Sequence, residues 1–185
     1  MESVEALKYR LSFFQLITGI STEFINLPPN ENSEGIERSL RKIGEFIDGD
    51  RLALFMFRDG GQFVDMTHEW KRANLPSMMS FFKEILCSQI SYTLVRLRQM
   101  HDIYIASLDE LPPEAEFEKE MLKKFGGKQQ GFIPMIYQKQ LIGFIFFVVS
   151  LDTPINYNDF FSFFRMFGEI VVNAFENKSY IEQIQ

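Results

Sequence analysis

The sequence predicts an α+β fold: a central, mostly antiparallel sheet of five or six strands, with the terminal helices packed on one face. Three observations predict it. Apolar stripes of helical period lie at both ends of the chain, strand-like runs flank Asp59-Gly60-Gly61, and Leu141 to Val149 is apolar at nearly every position. A helical stripe needs one covering surface. A strand apolar at successive positions needs two, because its side chains alternate between faces.

The elements follow in order. From Val4 to Ile25, residues Leu7, Leu11, Phe14, Ile17, Ile20 and Phe24 recur three or four apart and stack along one stripe, which Phe13 and Leu16 widen. Leu27-Pro28-Pro29 ends this helix, since proline has no amide donor and pushes the preceding residue out of the helical region. A second helix starts near Asn30 or Ser33, with Ile36, Leu40, Ile43 and Ile47 inward, Glu37, Arg38, Arg41 and Lys42 towards water, and Gly49 as its stop. Arg51 to Phe57 and Phe63 to Trp70 form a hairpin whose glycines supply positive φ. Alternation places Val64, Met66, His68 and Trp70 on one face of the return strand, and Phe63, Asp65, Thr67 and Glu69 on the other.

Between Pro76 and Met100, Phe81, Phe82, Ile85 and Leu86, then Tyr92, Leu94, Val95 and Leu97, suit one or two helices, and a short strand falls within Asp102 to Ser107. Pro113 opens a helix to Phe125 that buries Ala115, Phe117, Met121, Leu122 and Phe125 and ends at Gly126-Gly127. On it Glu116, Glu118 and Glu120 read as a solvated face. Phe132 to Tyr137 and Leu141 to Val149 form a second hairpin around Gln138-Lys139-Gln140, and a last helix, capped by Asn156 or Asn158, runs to about Gln183. With no repeat, linker or low-complexity segment, residues 1–185 read as one domain, with an N-terminal helix over 1–26 and a C-terminal helix over 157–185.

Composition narrows the function. The hydrophobic fraction is 46%, with 21 Phe against 1 Trp, enough apolar surface for a sizeable core. A net charge of -6 lacks the positive footprint that a phosphate backbone demands, so nucleic acid is not an expected partner. Cys87 is the only cysteine, which leaves no intrachain disulfide and fits a reducing, cytoplasmic setting. Glu2, Glu5, Lys8 and Arg10 interrupt any leader-like apolar block. The longest apolar stretch, Leu141 to Val149, falls far short of the ~20 residues that span a membrane, so direct insertion is not expected.

Several short segments carry a family likeness: Ile20 to Pro28, Gly44-Glu45-Phe46, Thr67-His68-Glu69-Trp70, Leu108 to Ala115, Ile133-Pro134-Met135, Leu141-Ile142-Gly143-Phe144 and Gly168-Glu169-Ile170. Together they resemble GAF domains, the sensory modules of bacterial signalling proteins such as sensor histidine kinases and diguanylate cyclases. The resemblance implies a pocket on the sheet face opposite the terminal helices, walled by shorter middle helices and loops, and a regulatory role without catalysis. Its motifs specify the fold far better than the ligand. Val148 stands where the family often has Asp, Lys71 where relatives often have Cys, and Gly126-Gly127 where Gly-Ile is usual. The Asn-Lys, Phe, Asp-Glu signature of cyclic-nucleotide-binding members is not found, and Ser88 follows Cys87 where bilin-binding members commonly have His. The cofactor is therefore left unknown.

On the predicted strand, His68 and Trp70 share a face. If it lines the pocket, indole stacks on a planar ligand and imidazole exchanges a hydrogen bond with it; Tyr92 and Tyr104 join them as candidate ligand-binding residues. The bland alternative is structural, with Trp70 covering the sheet end. With two His and one Cys the inventory for a metal site is small; haem on a single axial His stays open, although a lone His is far more often structural. Gly60-Gly61 joins two strands and lacks the lysine of a phosphate loop, no Ser/His/Asp constellation is legible, and a methionine-sulfoxide-reductase chemistry needs several cysteines. No enzyme is expected.

On the last helix, Phe160, Phe161, Phe163, Phe164, Met166, Phe167, Ile170, Val171, Val172, Ala174 and Phe175 occupy more than one stripe. The surplus is expected to meet the first helix and then the same pair in a second subunit, with Phe14, Phe164, Phe167, Val171 and Phe175 at a homodimer interface. The alternative is that the first helix absorbs it alone. The expected function is a non-catalytic sensory domain that binds a small molecule of unknown identity, or a partner, and relays the change through its terminal helices, which turn polar from Asn177 to Gln185. The competing reading is a ligand-free dimerisation module whose pocket is filled by its own Phe and Met side chains.

Overall fold

The first helix starts where its sequence can cap it: the Ser3 hydroxyl accepts the Ala6 N–H at 3.1 Å, and α1 (Val4–Asn26) runs until Leu27 turns extended ahead of Pro28. The computed structural model describes the backbone of residues 2–150 and 157–184, and the side chains of 2–150 and 159–176. After a 3₁₀ turn come α2 (Asn32–Phe46), β1 (Arg51–Arg58), β2 (Phe63–Lys71), β3 (Ile85–Leu86), α3 (Ser91–Arg98), β4 (Ile103–Ile105), α4 (Glu116–Phe125), β5 (Gln129–Tyr137), β6 (Gln140–Val149) and α5 (Tyr157–Ile184). The candidate cap Asn156, and the side chains of Asn158 and of residues 177–185, lie outside the described residues.

The six strands form one sheet in the order β3-β2-β1-β6-β5-β4, with every neighbouring pair antiparallel. Both long hairpins turn through positive φ. Gly60 and Gly61 (67° and 85°) follow β1, while Gln138 and Lys139 (46° and 66°) make a two-residue loop before β6.

β6 sits in the middle and divides the interior in two. Ile145, Phe147 and Val149 face α1, α2 and α5, whereas Phe144, Phe146 and Val148 face α3, α4 and the segment after β2. On the helix side Phe147 stacks on Phe164 at 5.4 Å and 9°, and Phe13 of α1 reaches Phe163 at 4.3 Å. α1 and α5 run parallel: Arg10 pairs with Asp159 near their starts, and Asn32, just past the end of α1, donates to the Ala174 carbonyl at 2.8 Å.

Four expectations are corrected. First, β2 does not keep one face. The pairing steps from Leu54↔His68 to Phe55↔Met66, so Thr67 is bulged out of register. Val64 and Met66 point to the α3/α4 side, while His68 meets Ser33 of α2 and Trp70 packs with the other layer. Second, residues 81–86 are not helical: the Phe82 carbonyl accepts the Met66 N–H at 2.9 Å and Glu84 turns through φ 55°, which leads the chain into β3 at the sheet edge. Only Ser91–Arg98 is α-helical in that stretch.

Third, Glu118 is not on a solvated face. It is 5% exposed and lies in register with the buried Ala115 and Leu122. Fourth, Phe164, Phe167 and Val171 are fully buried in the chain's own core, because α2 as well as α1 covers α5, and they present nothing to a second subunit. With Phe81, Leu86, Val95 and Met100 scattered elsewhere, the largest group of exposed apolar residues is on α1 instead. Its predicted single stripe is two: Phe13, Ile17 and Ile20 face inward, while Leu7, Leu11 and Phe14 face out.

Trp70 lies flat against α2 at Gly44, where an added Cβ would sit 2.2 Å from the indole ring. Gly44→Ala therefore displaces the chain's only tryptophan and is expected to destabilise the fold by about 1–3 kcal/mol. Denaturant unfolding followed by tryptophan fluorescence checks both effects, with a red-shifted native emission as the signature of the displaced ring.

Candidate functional site

On the sheet face opposite α1 and α5, β1, β5 and β6 present a floor of aromatic rings. Phe55 and Phe144 stack at 4.7 Å and 12°, and Phe132 meets Phe146 at 5.0 Å. α3, α4 and residues 76–90 form the roof, in which Phe82 stands edge-on to Phe55 at 5.5 Å. Between floor and roof is a cavity of about 50 Å³.

The roof is tied down from the sheet. Arg51 and Glu69 form a buried ion pair on the same face, with side chains 1% and 5% exposed. Arg51 Nη2 donates to the Pro76 carbonyl at 2.9 Å, and Glu69 accepts the Ser77 hydroxyl at 2.5 Å and the Met78 N–H at 3.0 Å. Each remaining lone pair of the carboxylate thus holds the chain that follows β2, which is what makes a buried pair tolerable.

Among the residues that line the cavity, Thr93 and Glu118 are the ones whose side chains carry oxygen or nitrogen. Glu118 Oε1 accepts the Thr93 N–H at 3.2 Å, at the start of α3 where backbone donors have no partner within their own helix. Glu118 Oε2 is buried and has no hydrogen-bond partner. Such an atom costs about 1–3 kcal/mol when left unpaired. The sequence did carry a signal for it: 115, 118, 122 and 125 are spaced to share one helical face.

A scan against family models and a search of curated proteins found no match to the sequence. Solved structures do match. The phycoerythrobilin-bound GAF domain of a cyanobacterial phytochrome aligns over 93% of this chain and 98% of its own, with a TM-score of 0.74 and 14% identity. The GAF domain of a phosphoenolpyruvate-protein phosphotransferase from Coxiella burnetii aligns over 94% and 98%, at 0.74 and 13%. The PixJ GAF domain of Thermosynechococcus elongatus in its blue-light absorbing form aligns over 84% and 90%, at 0.65 and 16%. The chain has the fold of a GAF domain.

Within this GAF fold the four sequence candidates do not meet at the cavity. His68 and Trp70 lie in the α2/α5 layer, on the far side of the sheet, because of the bulge at Thr67. Tyr104 of β4 packs with that layer too and its hydroxyl bonds to Gln129. Tyr92 on α3 is half-buried, with the Arg96 guanidinium 3.8 Å from its ring centroid. Cys87 is buried beside the α3/α4 layer, and burial, partly offset by Arg98, pushes its thiol pKa up. Among the described residues no cluster of three or more His, Cys, Asp or Glu is placed to hold a metal, and no helix is long and apolar enough to cross a membrane.

His68 is bonded on both ring nitrogens, to Ser33 Oγ at 2.9 Å and Thr67 Oγ1 at 2.9 Å, and burial lowers its pKa to about 4. In the unfolded chain an imidazole titrates near 6.5, so on acidification the unfolded state takes up the proton first. The stability tied to neutral His68 is therefore full above about pH 6.5, is lost progressively as the pH falls towards 4, and changes no further below that. The loss reaches about 3 kcal/mol. Denaturant unfolding of the wild type and of His68→Gln between pH 7.5 and 4 checks it: the wild type is expected to lose that much more stability than the variant, whose side chain does not titrate.

Proposed function

We propose that this chain is a non-catalytic GAF sensory domain that binds a small molecule in the aromatic cavity and relays the change through its terminal helices. The carrying observation is the construction of β6. Phe144 and Phe146 line the cavity, while Ile145 between them and Phe147 beyond them face the helix layer, where Phe147 stacks on Phe164 of α5, so one strand touches both the cavity and the terminal helix. The fold likeness to the phytochrome, PixJ and phosphotransferase GAF domains supports a regulatory role. A signalling protein of the cytoplasm is the setting that the lone, buried cysteine and the absence of a spanning helix among the described residues favour.

The phytochrome domain holds phycoerythrobilin. The cavity here, about 50 Å³, is well below the roughly 300–1,000 Å³ that drug-sized ligands occupy, so it suits a small metabolite rather than a large chromophore. That small volume also favours the second reading, a dimerisation module plugged by its own Phe and Met. Thermal shift against a panel of small metabolites separates the two. A saturable rise in melting temperature is expected for the sensor, since a ligand bound only by the folded state stabilises it; a panel without effect leaves the plugged module.

In either case the dimer contact belongs on α1. Val4, Leu7, Leu11, Phe14 and Ile25 are 68%, 54%, 55%, 48% and 80% exposed, and they follow alternating spacings of three and four with Thr18 and Ser21 in between. This is the heptad seam of a two-helix contact, and α1 of a second copy is its natural complement. Leu11→Glu combined with Phe14→Glu is expected to halve the mass measured by light scattering while circular dichroism stays unchanged. A folded variant of unaltered mass removes the seam as the interface.

A further inference from the structure

We propose that the cavity selects a small organic cation, an amine with a compact apolar body, whose N–H groups meet Glu118 Oε2. This rests on the ligand-binding reading above and specifies its chemistry. Glu118 is 5% exposed, and one of its oxygens has no partner in the chain. An ionised carboxylate only accepts hydrogen bonds, so the missing partner is a donor. No Lys, Arg or His lines the cavity, so the chain offers no cation to it.

The rest of the lining agrees with a positive charge. Phe55, Phe82, Phe117, Phe132, Phe144 and Phe146 surround the space, and aromatic faces carry the negative side of the ring quadrupole. An anionic ligand would find no cation there. A lone water is also poorly served. Ordered buried waters typically make two to four hydrogen bonds, and here only Glu118 and Thr93 are polar. The volume sets the size: about 50 Å³ admits a handful of heavy atoms, with growth only where Phe82 or Met78 of the roof gives way.

Arg51 and Glu69 add a filter by their absence from this space. They are buried charges on the same sheet face, but they bond to each other and to residues 76–78, and neither lines the cavity. Glu118 is thus the single charged group that a ligand meets.

The test uses the full chain and three probes of matched shape at pH 7: isobutylamine, isobutanol and isobutyrate, read by thermal shift and titration calorimetry. Isobutylamine is expected to bind saturably, with a rise of roughly 5 °C or more near 100 times its Kd, and isobutyrate to leave the melting temperature unchanged. Glu118→Gln keeps an oxygen for the Thr93 N–H but loses the charge, so amine affinity is expected to fall by about tenfold or more. Val64→Ile, which adds a methyl at the cavity wall, is expected to weaken amine and alcohol alike. If isobutanol binds as well as isobutylamine, or Glu118→Gln binds the amine like the wild type, the amine chemistry is overturned while the ligand-binding reading stands. If no probe and no member of the metabolite panel binds, both fall. Should Glu118→Gln fail to fold, the contrast between amine and carboxylate in the wild type decides on charge, and Val64→Ile decides on place.

Discussion

A strand that is apolar on both faces cannot stand at a surface, and β6 is such a strand. From Gly143 to Val149 every residue is buried, with Phe147 at 0% and Phe146 at 2% exposure. Burying a single phenylalanine contributes about 1.5–3 kcal/mol, so leaving either face open would forfeit much of a domain's net stability. The rest of the architecture follows from covering both. β1 and β5 flank β6 through their backbones. The two longest helices, α1 and α5, close one face with α2, and the short helices α3 and α4 with the segment after β2 close the other. The two coverings are unequal. Continuous helices pack densely against Phe147, whereas short helices and irregular chain leave a gap above Phe144 and Phe146.

The bulge at Thr67 decides what chemistry enters that gap. A one-residue step in register sends every later side chain of a strand to the opposite face. Without it, His68 and Trp70 would continue the row of Val64 and Met66 and hang over the cavity. With it they turn towards α2, where Trp70 presses on Gly44 and His68 bridges Ser33 and Thr67. The same step turns Glu69 to the cavity face, where it pairs with Arg51 and anchors the roof. One inserted residue thus removes the polar aromatic candidates from the site, supplies the ion pair that holds the cover in place, and leaves Glu118, arriving from α4, as the site's only charge.

The legibility of the sequence divides along the same line. The hairpins, the order of the elements and the double-faced strand were readable because they depend on local signals: Gly60-Gly61, the turn at Gln138-Lys139, and the apolar run that follows it. The site was not, because its features are tertiary. A bulge leaves no mark in an alternating run such as Phe63 to Trp70. The charge of Glu118 points to water, but its spacing from Ala115 and Leu122 places it inside, and position prevails over residue type. The phenylalanines of α5 are a surplus against one covering helix, but α2 also packs there, so the chain buries them itself. On α1 the opposite happens. Spacing alone merges Leu7, Leu11 and Phe14 with Ile17 and Ile20 into one stripe, whereas a phase difference of about a third of a turn separates the inward row from the outward one.

The two layers are mechanically joined at β6, which is what the proposed relay requires. Consecutive residues of a strand share a backbone but face opposite ways, so Phe146 cannot move its Cα without moving that of Phe147, whose ring stacks on Phe164. The cavity side is the compliant one, because its cover is held by hydrogen bonds to Pro76, Ser77 and Met78 rather than by continuous helix. A ligand that only displaces the cover leaves α5 untouched. One that also displaces Phe144 or Phe146 loads the stack beneath, and the helix pair shifts by no more than the ligand's preference for the one arrangement over the other. Interiors packed as closely as this helix layer respond to strain by changing arrangement rather than by stretching. On the proposed reading, the parallel course of α1 and α5 is what would carry such a change to the outward row of α1, which the chain does not cover itself.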